Sequence, residues 1–296
     1  MKIQSLGTTL FSGLASAMLF TASVVYAAPD SSYEALISKT HMHGIAVHPV
    51  DPARFYLATH HGFYLVAGDG KVTQMSDNQN DYMGFTPHPS NASVFFASGH
   101  PSTGGNTGFL QSTDQGRSWK RLSNGAGGPV DFHQMDVSQV NPDLIFGVFR
   151  GLQVSEDGGQ SWQIVAKTPA NLYDLAASPN DADTLYAATQ QGLLISTDRG
   201  QSWSPAHMNQ SPASMVQASA DGSVYAFVAG LGLIRNSDDS MTWTSLNNDF
   251  GNRYLLHLAV NADYPDIIYT ISNTKEVLHS GDGGRSWKLF DGTSGQ

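Results

Sequence analysis

The octapeptide Ser112-Thr113-Asp114-Gln115-Gly116-Arg117-Ser118-Trp119 returns along the chain, and its return decides the fold. It recurs as Ser155-Glu156-Asp157-Gly158-Gly159-Gln160-Ser161-Trp162, as Ser196-Thr197-Asp198-Arg199-Gly200-Gln201-Ser202-Trp203 and as Ser280-Gly281-Asp282-Gly283-Gly284-Arg285-Ser286-Trp287. A looser copy, Asn236-Ser237-Asp238-Asp239-Ser240-Met241-Thr242-Trp243, has serine where the others have glycine. All five tryptophans of the protein close these copies, standing 43, 41, 40 and 44 residues apart. Short apolar runs rich in β-branched and aromatic residues fill the intervals. A unit of this length cannot bury its apolar faces alone. Arranged in a ring, such units become the blades of a β-propeller, one four-stranded sheet per repeat.

Each residue type of the repeat suits a tight hairpin tip. Aspartate accepts hydrogen bonds from backbone N–H groups of its own turn. Glycine supplies the positive φ that the turn requires. Tryptophan then buries a large ring between neighbouring sheets, a contribution on the order of 3 kcal/mol when burial is complete. The pattern Ser-x-Asp-x-Gly-x-Ser/Thr-Trp resembles the Asp-box, or bacterial neuraminidase repeat, of sialidases, sortilin-type receptors and photosystem assembly factors. That resemblance implies a β-propeller with the boxes between the third and fourth strands of each blade, acting as structural staples.

The opening strands give the number of blades. Residues 43–49 read His-Gly-Ile-Ala-Val-His-Pro and residues 83–89 read Met-Gly-Phe-Thr-Pro-His-Pro; comparable segments recur at 133–142, 173–179, 214–219 and 256–265. A second strand follows each, beginning with Phe55-Tyr56-Leu57-Ala58 and ending with Ile267-Ile268-Tyr269-Thr270. Six units in residues 41–292 take 42 residues each. The expectation is an all-β, six-bladed β-propeller of Asp-box repeats over 41–292, preceded by an N-terminal extension, 28–40. Blade one retains only a remnant box, Gly68-Asp69-Gly70, without the tryptophan.

Composition agrees with this and excludes several function classes. The chain is 14% charged and 40% hydrophobic, with 30 glycines and no cysteine. A globular protein is usually about 25% charged, and low charge with abundant glycine suits many short strands and tight turns. Absence of cysteine excludes a disulfide scaffold, a zinc ribbon and a cysteine nucleophile. With 15 basic against 25 acidic residues, net charge −10, the surface is poorly suited to phosphate, and nucleic acid is not an expected partner.

Residues 1–27 read as a signal peptide. Lys2 is the positive n-region, Leu6 to Val25 is apolar, and Val25-Tyr26-Ala27 satisfies the small-residue rule for cleavage after Ala27. The apolar stretch approaches a membrane-spanning length of about 20 residues, so an uncleaved anchor is the alternative. No cysteine is available for a lipoprotein anchor. The mature protein is expected to be periplasmic or secreted, with no membrane attachment after cleavage.

The channel mouth is the usual binding site of a propeller. In a four-stranded meander, the start of strand one and the end of strand two share one rim. The turn between them shares the other rim with the Asp-boxes. His48 and His88, in equivalent His-Pro turns, belong to the Asp-box rim, whereas His41, His43, His60, His61, His100 and His133 belong to the opposite one. Eight of the 11 histidines lie between residues 41 and 133. Aligning the blade openings pairs His41-Met42-His43 with Asp81-Tyr82-Met83, Asp131-Phe132-His133 and Asn171-Leu172-Tyr173. His43, Met83 and His133 then hold equivalent positions, with His41, Asp81 and Asp131 one step outward. His60, His61 and His100 end the neighbouring second strands. Imidazole, carboxylate and thioether near one point suit copper or zinc, and the thioether favours copper. The expected metal ligands are therefore His41, His43, His60, His61, Met83, His100 and His133. The competing reading is an ordinary polar channel mouth with histidines bonded to backbone or water.

The sialidase-like repeat also raises glycoside hydrolysis. Sialidases hold a carboxylate with three arginines, but here Arg117, Arg199 and Arg285 lie inside Asp-boxes, and Arg54, Arg121, Arg150, Arg235 and Arg253 remain. Mature glutamates are limited to Glu34, Glu156 and Glu276. Asp81 with Asp131 is the one carboxylate pair that could serve. A third reading is a ligand-free protein-assembly scaffold with a protein partner, as in the photosystem assembly factors that the repeat also resembles. The segment Gly99 to Gly108, beside His100, reads as a surface loop with the placement of a lid.

Overall fold

The structure, a computed structural model, describes residues 31–237 and 242–292. The expected signal peptide and the tip of the looser repeat, 238–241, lie outside the described residues. Six antiparallel sheets follow one another along the chain, each a meander of four strands. The innermost strands are Met42–Val47, Asp81–Pro87, Met135–Val137, Leu172–Ala177, Ala213–Ala218 and Leu255–Val260. The result is a six-bladed, all-β propeller.

Sequence character changes outward through each blade for a physical reason. Second strands such as Phe55–Thr59 and Leu185–Thr189 are buried at every residue, because both faces press on neighbouring blades. They therefore read as continuous apolar runs rather than alternating ones. Fourth strands such as Lys120–Ser123 lie at the perimeter, mostly exposed, and their charge discourages edge-to-edge pairing.

The core is divided into six clusters, one per blade interface. At five of them the tryptophan of one blade packs against the preceding blade. Trp162, for example, meets Phe109 of blade two at a ring separation of 5.1 Å and Phe132 of its own blade at 4.8 Å. The Asp-boxes sit between third and fourth strands, as the repeat implied. In the Asp157 box, one carboxylate oxygen accepts from the Ser155 hydroxyl (2.8 Å) and the Ser161 N–H (2.9 Å), and the other from the Ser161 hydroxyl (2.6 Å). Those bonds, led by the Ser161 hydroxyl, pull the Asp157 carboxyl down to about 2. Gly159 takes φ 89°, and a Cβ there would run into the Phe109 ring.

The interface between blades six and one lacks a box tryptophan, and the N-terminal segment fills it. Ser31–Ser32 adds a fifth strand outside Lys71–Gln74. A short helix, Tyr33–Ile37, then inserts Tyr33 and Leu36 into the cluster holding Phe55, Ile271 and Phe290. The Tyr33 ring stands edge-on to Phe290 at 5.0 Å, and its hydroxyl accepts the Val277 N–H of blade six at 3.0 Å. The Tyr33 N–H in turn donates to Gly70 of the remnant box, at 2.9 Å. Part of the expected extension thus closes the ring.

Candidate metal centre

Five of the six inner strands share an irregularity, which in blade one places a histidine. Pairing with the second strand slips by one residue between Met42 and Gly44, Leu172 and Asp174, Ala213 and Met215, and Leu255 and His257. Blade two slips between Met83 and Thr86. Such a β-bulge re-aims the extra residue, which in blade one is His43. Counting from the aligned pairs puts Met83 and His133 at the equivalent point of blades two and three, and Asp81 and Asp131 two residues earlier. The second strands deliver the rest: Asp81 is the cross-strand partner of His100, and the His60 N–H donates to the His41 carbonyl at 3.0 Å.

Two groups form on this rim. In the first, His60 Nδ1 lies 2.7 Å from Asp81 Oδ2, and His43 Nε2 lies 3.5 Å from Asp81 Oδ1. In the second, Asp131 Oδ2 receives His100 Nε2 at 2.9 Å and His133 Nε2 at 3.0 Å. Within each group one ligand atom per residue lies within 4.8 Å of the others, and among the described residues no such group holds three histidines. The expected convergence of the imidazoles on one point is therefore replaced by two sets of two histidines and one aspartate. His41 and His61 are exposed and belong to neither; His61 Nδ1 faces the Thr40 hydroxyl at 3.2 Å. Met83 is buried at its register position.

The carboxylates are buried while three of the four imidazoles reach solvent. Asp81 and Asp131 side chains are 7% and 8% exposed, against 51% for His60 and 54% for His133. Asp81 Oδ1, Asp131 Oδ1 and His43 Nε2 are buried without a hydrogen-bond partner; the 3.5 Å approach of His43 to Asp81 is an electrostatic contact only. Burial, reinforced by His257 and His60, pulls the His43 imidazole down to about 3. It is therefore neutral at physiological pH, the form in which imidazole ligates a metal. Burial raises the Asp81 carboxyl, against the opposing pull of His60. His133 is raised, first by its hydrogen bond to Asp131.

A channel of about 400 Å³, lined by inner strands of all six blades, leads away from this rim. His43 and His133 stand at one end and His88 at the other, with Asp136, Asp174, Gln217 and His257 between. Asp136 accepts the Ala177 N–H at 2.8 Å, and Asp174 accepts the Val216 N–H at 3.0 Å, each from the next blade. Innermost strands are sheet edges, and these carboxyls cap N–H groups that would otherwise lack a partner. Sequence reasoning passed over Asp136, Asp174 and His257. Their signal was a lone polar residue within an apolar run, as in Leu255-Leu256-His257-Leu258.

Burial pushes the Asp174 carboxyl from 3.8 up to about 8, and Asp136 up to about 6. A carboxyl raised on folding stays protonated in the native chain while the unfolded chain has ionised. Its contribution is complete below pH 4 or so and is lost as pH rises towards 8. Stability should fall across this window with a slope of at most about 1.4 kcal/mol per pH unit per proton. Asp174→Asn should flatten the fall between pH 6 and 8 in thermal melts, whereas an unchanged slope would place the Asp174 proton elsewhere.

Among the described residues, the opposite rim carries turn chemistry and exposed ion pairs. His48 Nδ1 accepts the Asp51 N–H at 3.1 Å and His88 Nδ1 the Ser90 N–H at 3.1 Å. Arg117 and Arg285 bond carbonyls of their own boxes, and Arg199 pairs with Asp183 and Glu156. No arginine triad forms from these three.

Comparison with known proteins is consistent with this architecture. The family model for the BNR/Asp-box repeat matches residues 194–205. No curated protein sequence matches the chain. Among solved structures, a GH74 enzyme from Niastella koreensis is similar at 18% identity and TM-score 0.60, over 84% of this chain and 45% of the enzyme. The GH74 xyloglucanase from Xanthomonas campestris is also 18% identical, with TM-score 0.53 and the same coverage. This chain therefore spans less than half the length of those enzymes. YCF48 bound to D1 peptide is 16% identical with TM-score 0.51, over 91% of this chain and 85% of that one. At such identities the likeness is one of fold.

Proposed function

Starting from a six-bladed propeller of the BNR/Asp-box type, we propose that the exported mature protein binds a transition metal, copper foremost, at the rim formed by blades one to three. The observation that carries this reading is the pair of buried aspartates, each facing two imidazoles and each keeping one buried oxygen without a hydrogen bond. A buried charged oxygen without a partner is costly, and a cation removes that cost. Histidine with carboxylate suits borderline divalent ions, among which Cu(II) binds most tightly, above Zn(II). Met83, in register between His43 and His133 on the middle blade, adds a soft donor that favours copper.

The chemistry available to the chain's own residues follows from their protonation. His43 offers a neutral nitrogen, while the nitrogens of His100 and His133 now facing Asp131 must release any proton there to take a metal. Titration of the mature protein with Cu(I), Cu(II) and Zn(II) tests the reading. Stoichiometric binding tighter than micromolar is expected, and the His43→Ala/His133→Ala double variant should lose it. Failure of all three ions to bind at that level would end the proposal.

A glycan hydrolase is the second reading, favoured by two buried carboxylates on one rim. It requires Asp81 and Asp131 to act across a bound sugar, at a separation of about 5–9.5 Å. Turnover of an aryl-glycoside that disappears in Asp131→Asn would support it, and no turnover across a broad panel would remove it.

A further inference from the structure

We infer that this rim holds two metal ions in two separate sites, one in His43/His60/Asp81 and one in His100/Asp131/His133. The inference rests on the reading of the rim as a metal-binding surface and goes beyond it in number and arrangement. Each set by itself gathers three ligand atoms within 4.8 Å of one another. Ligands about 2.0–2.1 Å from a common ion are at most roughly 4.2 Å apart, so an ion need draw each set together by only about half an ångström. The two sets do not merge into a larger one among the described residues.

Each set also has its own unmet electrostatic need. Asp81 Oδ1 and Asp131 Oδ1 are both buried without a hydrogen bond, one in each set. An ion in one set leaves the buried oxygen of the other uncompensated.

The second set also has the outer-shell geometry that a ligating histidine uses. His100 faces an acceptor with both ring nitrogens, Asp131 Oδ2 at Nε2 (2.9 Å) and the Gly105 carbonyl at Nδ1 (3.2 Å). A neutral imidazole carries one N–H and can donate to only one of them. With a metal on Nε2, the proton resides on Nδ1 and donates to Gly105, the usual outer-shell arrangement of a ligating histidine. Gly105 belongs to the Gly99–Gly108 segment, which is tied down at its base by Thr107 to Gly99 (2.9 Å) and by Asn106 to Pro129 (3.1 Å). The second set thus adjoins a surface segment that its own histidine contacts. The two sites are joined directly, because Asp81 of the first and His100 of the second are cross-strand partners.

Zn(II) is the probe, counted per chain by elemental analysis after desalting the mature protein. Two equivalents are expected for the wild type, one for His60→Ala, one for His133→Ala, and none for the double variant. His60 and His133 are half exposed, so each variant should fold, and the melting of the metal-free forms verifies this. One equivalent in the wild type, whether lost in one variant or in both, overturns the two-site arrangement but leaves metal binding intact. No zinc in the wild type overturns the functional reading itself. Two equivalents that survive in the double variant place the ions elsewhere and overturn both.

Discussion

Trp162→Ala is expected to destabilise the protein by about 3–5 kcal/mol, the usual range for deleting a buried aromatic ring. The ring is 8% exposed and belongs to the cluster joining blades two and three. Its Nε1 donates to the Ser123 hydroxyl at 3.0 Å and to the Gly159 carbonyl at 3.2 Å. The surroundings cannot collapse into the space left behind, because Gly159 is already pressed against Phe109 and its turn is held by the Asp157 carboxylate. For a chain of this size the loss corresponds to a fall in melting temperature on the order of 10 °C. Metal affinity per folded molecule should fall far less than on loss of a ligand, because the box turn lies on the opposite rim and the ring reaches the ligands only through Phe132, between Asp131 and His133. Loss of metal binding with the fold intact would show that the two rims are not independent.

His133→Ala should have the reverse signature. Its side chain is 54% exposed and makes one polar contact, to Asp131. Metal-free melting should therefore move by little more than a typical surface substitution, within about 0.5 kcal/mol. Removing one of three protein ligands should weaken binding at that site by more than the 10–100-fold typical of losing an outer-shell partner. Isothermal titration alongside thermal melting measures both. Normal affinity in this variant would remove His133 from the site, and a large loss of metal-free stability would assign it a structural role instead.

The Asp-box rim was legible in the sequence because its chemistry is local. Asp157, Gly159 and Trp162 act within one turn and against one neighbouring blade, so eight residues carry the whole instruction. The histidine rim was legible for a different reason: each opening strand runs back from the same turn pairing, His48 with Arg54, His88 with Val94 and Ser138 with Leu144, so aligning blade openings by sequence preserved their spatial equivalence. What alignment could not supply was the division into two sets. That depends on His60 and His100 arriving from second strands and turning towards the aspartate of the following blade, Asp81 and Asp131 respectively. Tyr33 was illegible as a ring-closing residue because the missing tryptophan of blade one marks a gap without indicating which segment fills it. Asp136 and Asp174 were hidden because their partners are backbone N–H groups of another blade, which no sequence pattern names.

The most direct test is an anomalous-scattering map from crystals of the mature protein grown with Cu(II), recorded across the copper absorption edge. The account predicts peaks within bonding reach, about 2.0–2.1 Å by analogy with zinc–nitrogen bonds, of the imidazoles beside Asp81 and Asp131. Fully occupied copper confined to the Asp-box rim, or no ordered copper beside either aspartate at saturating metal, would contradict it.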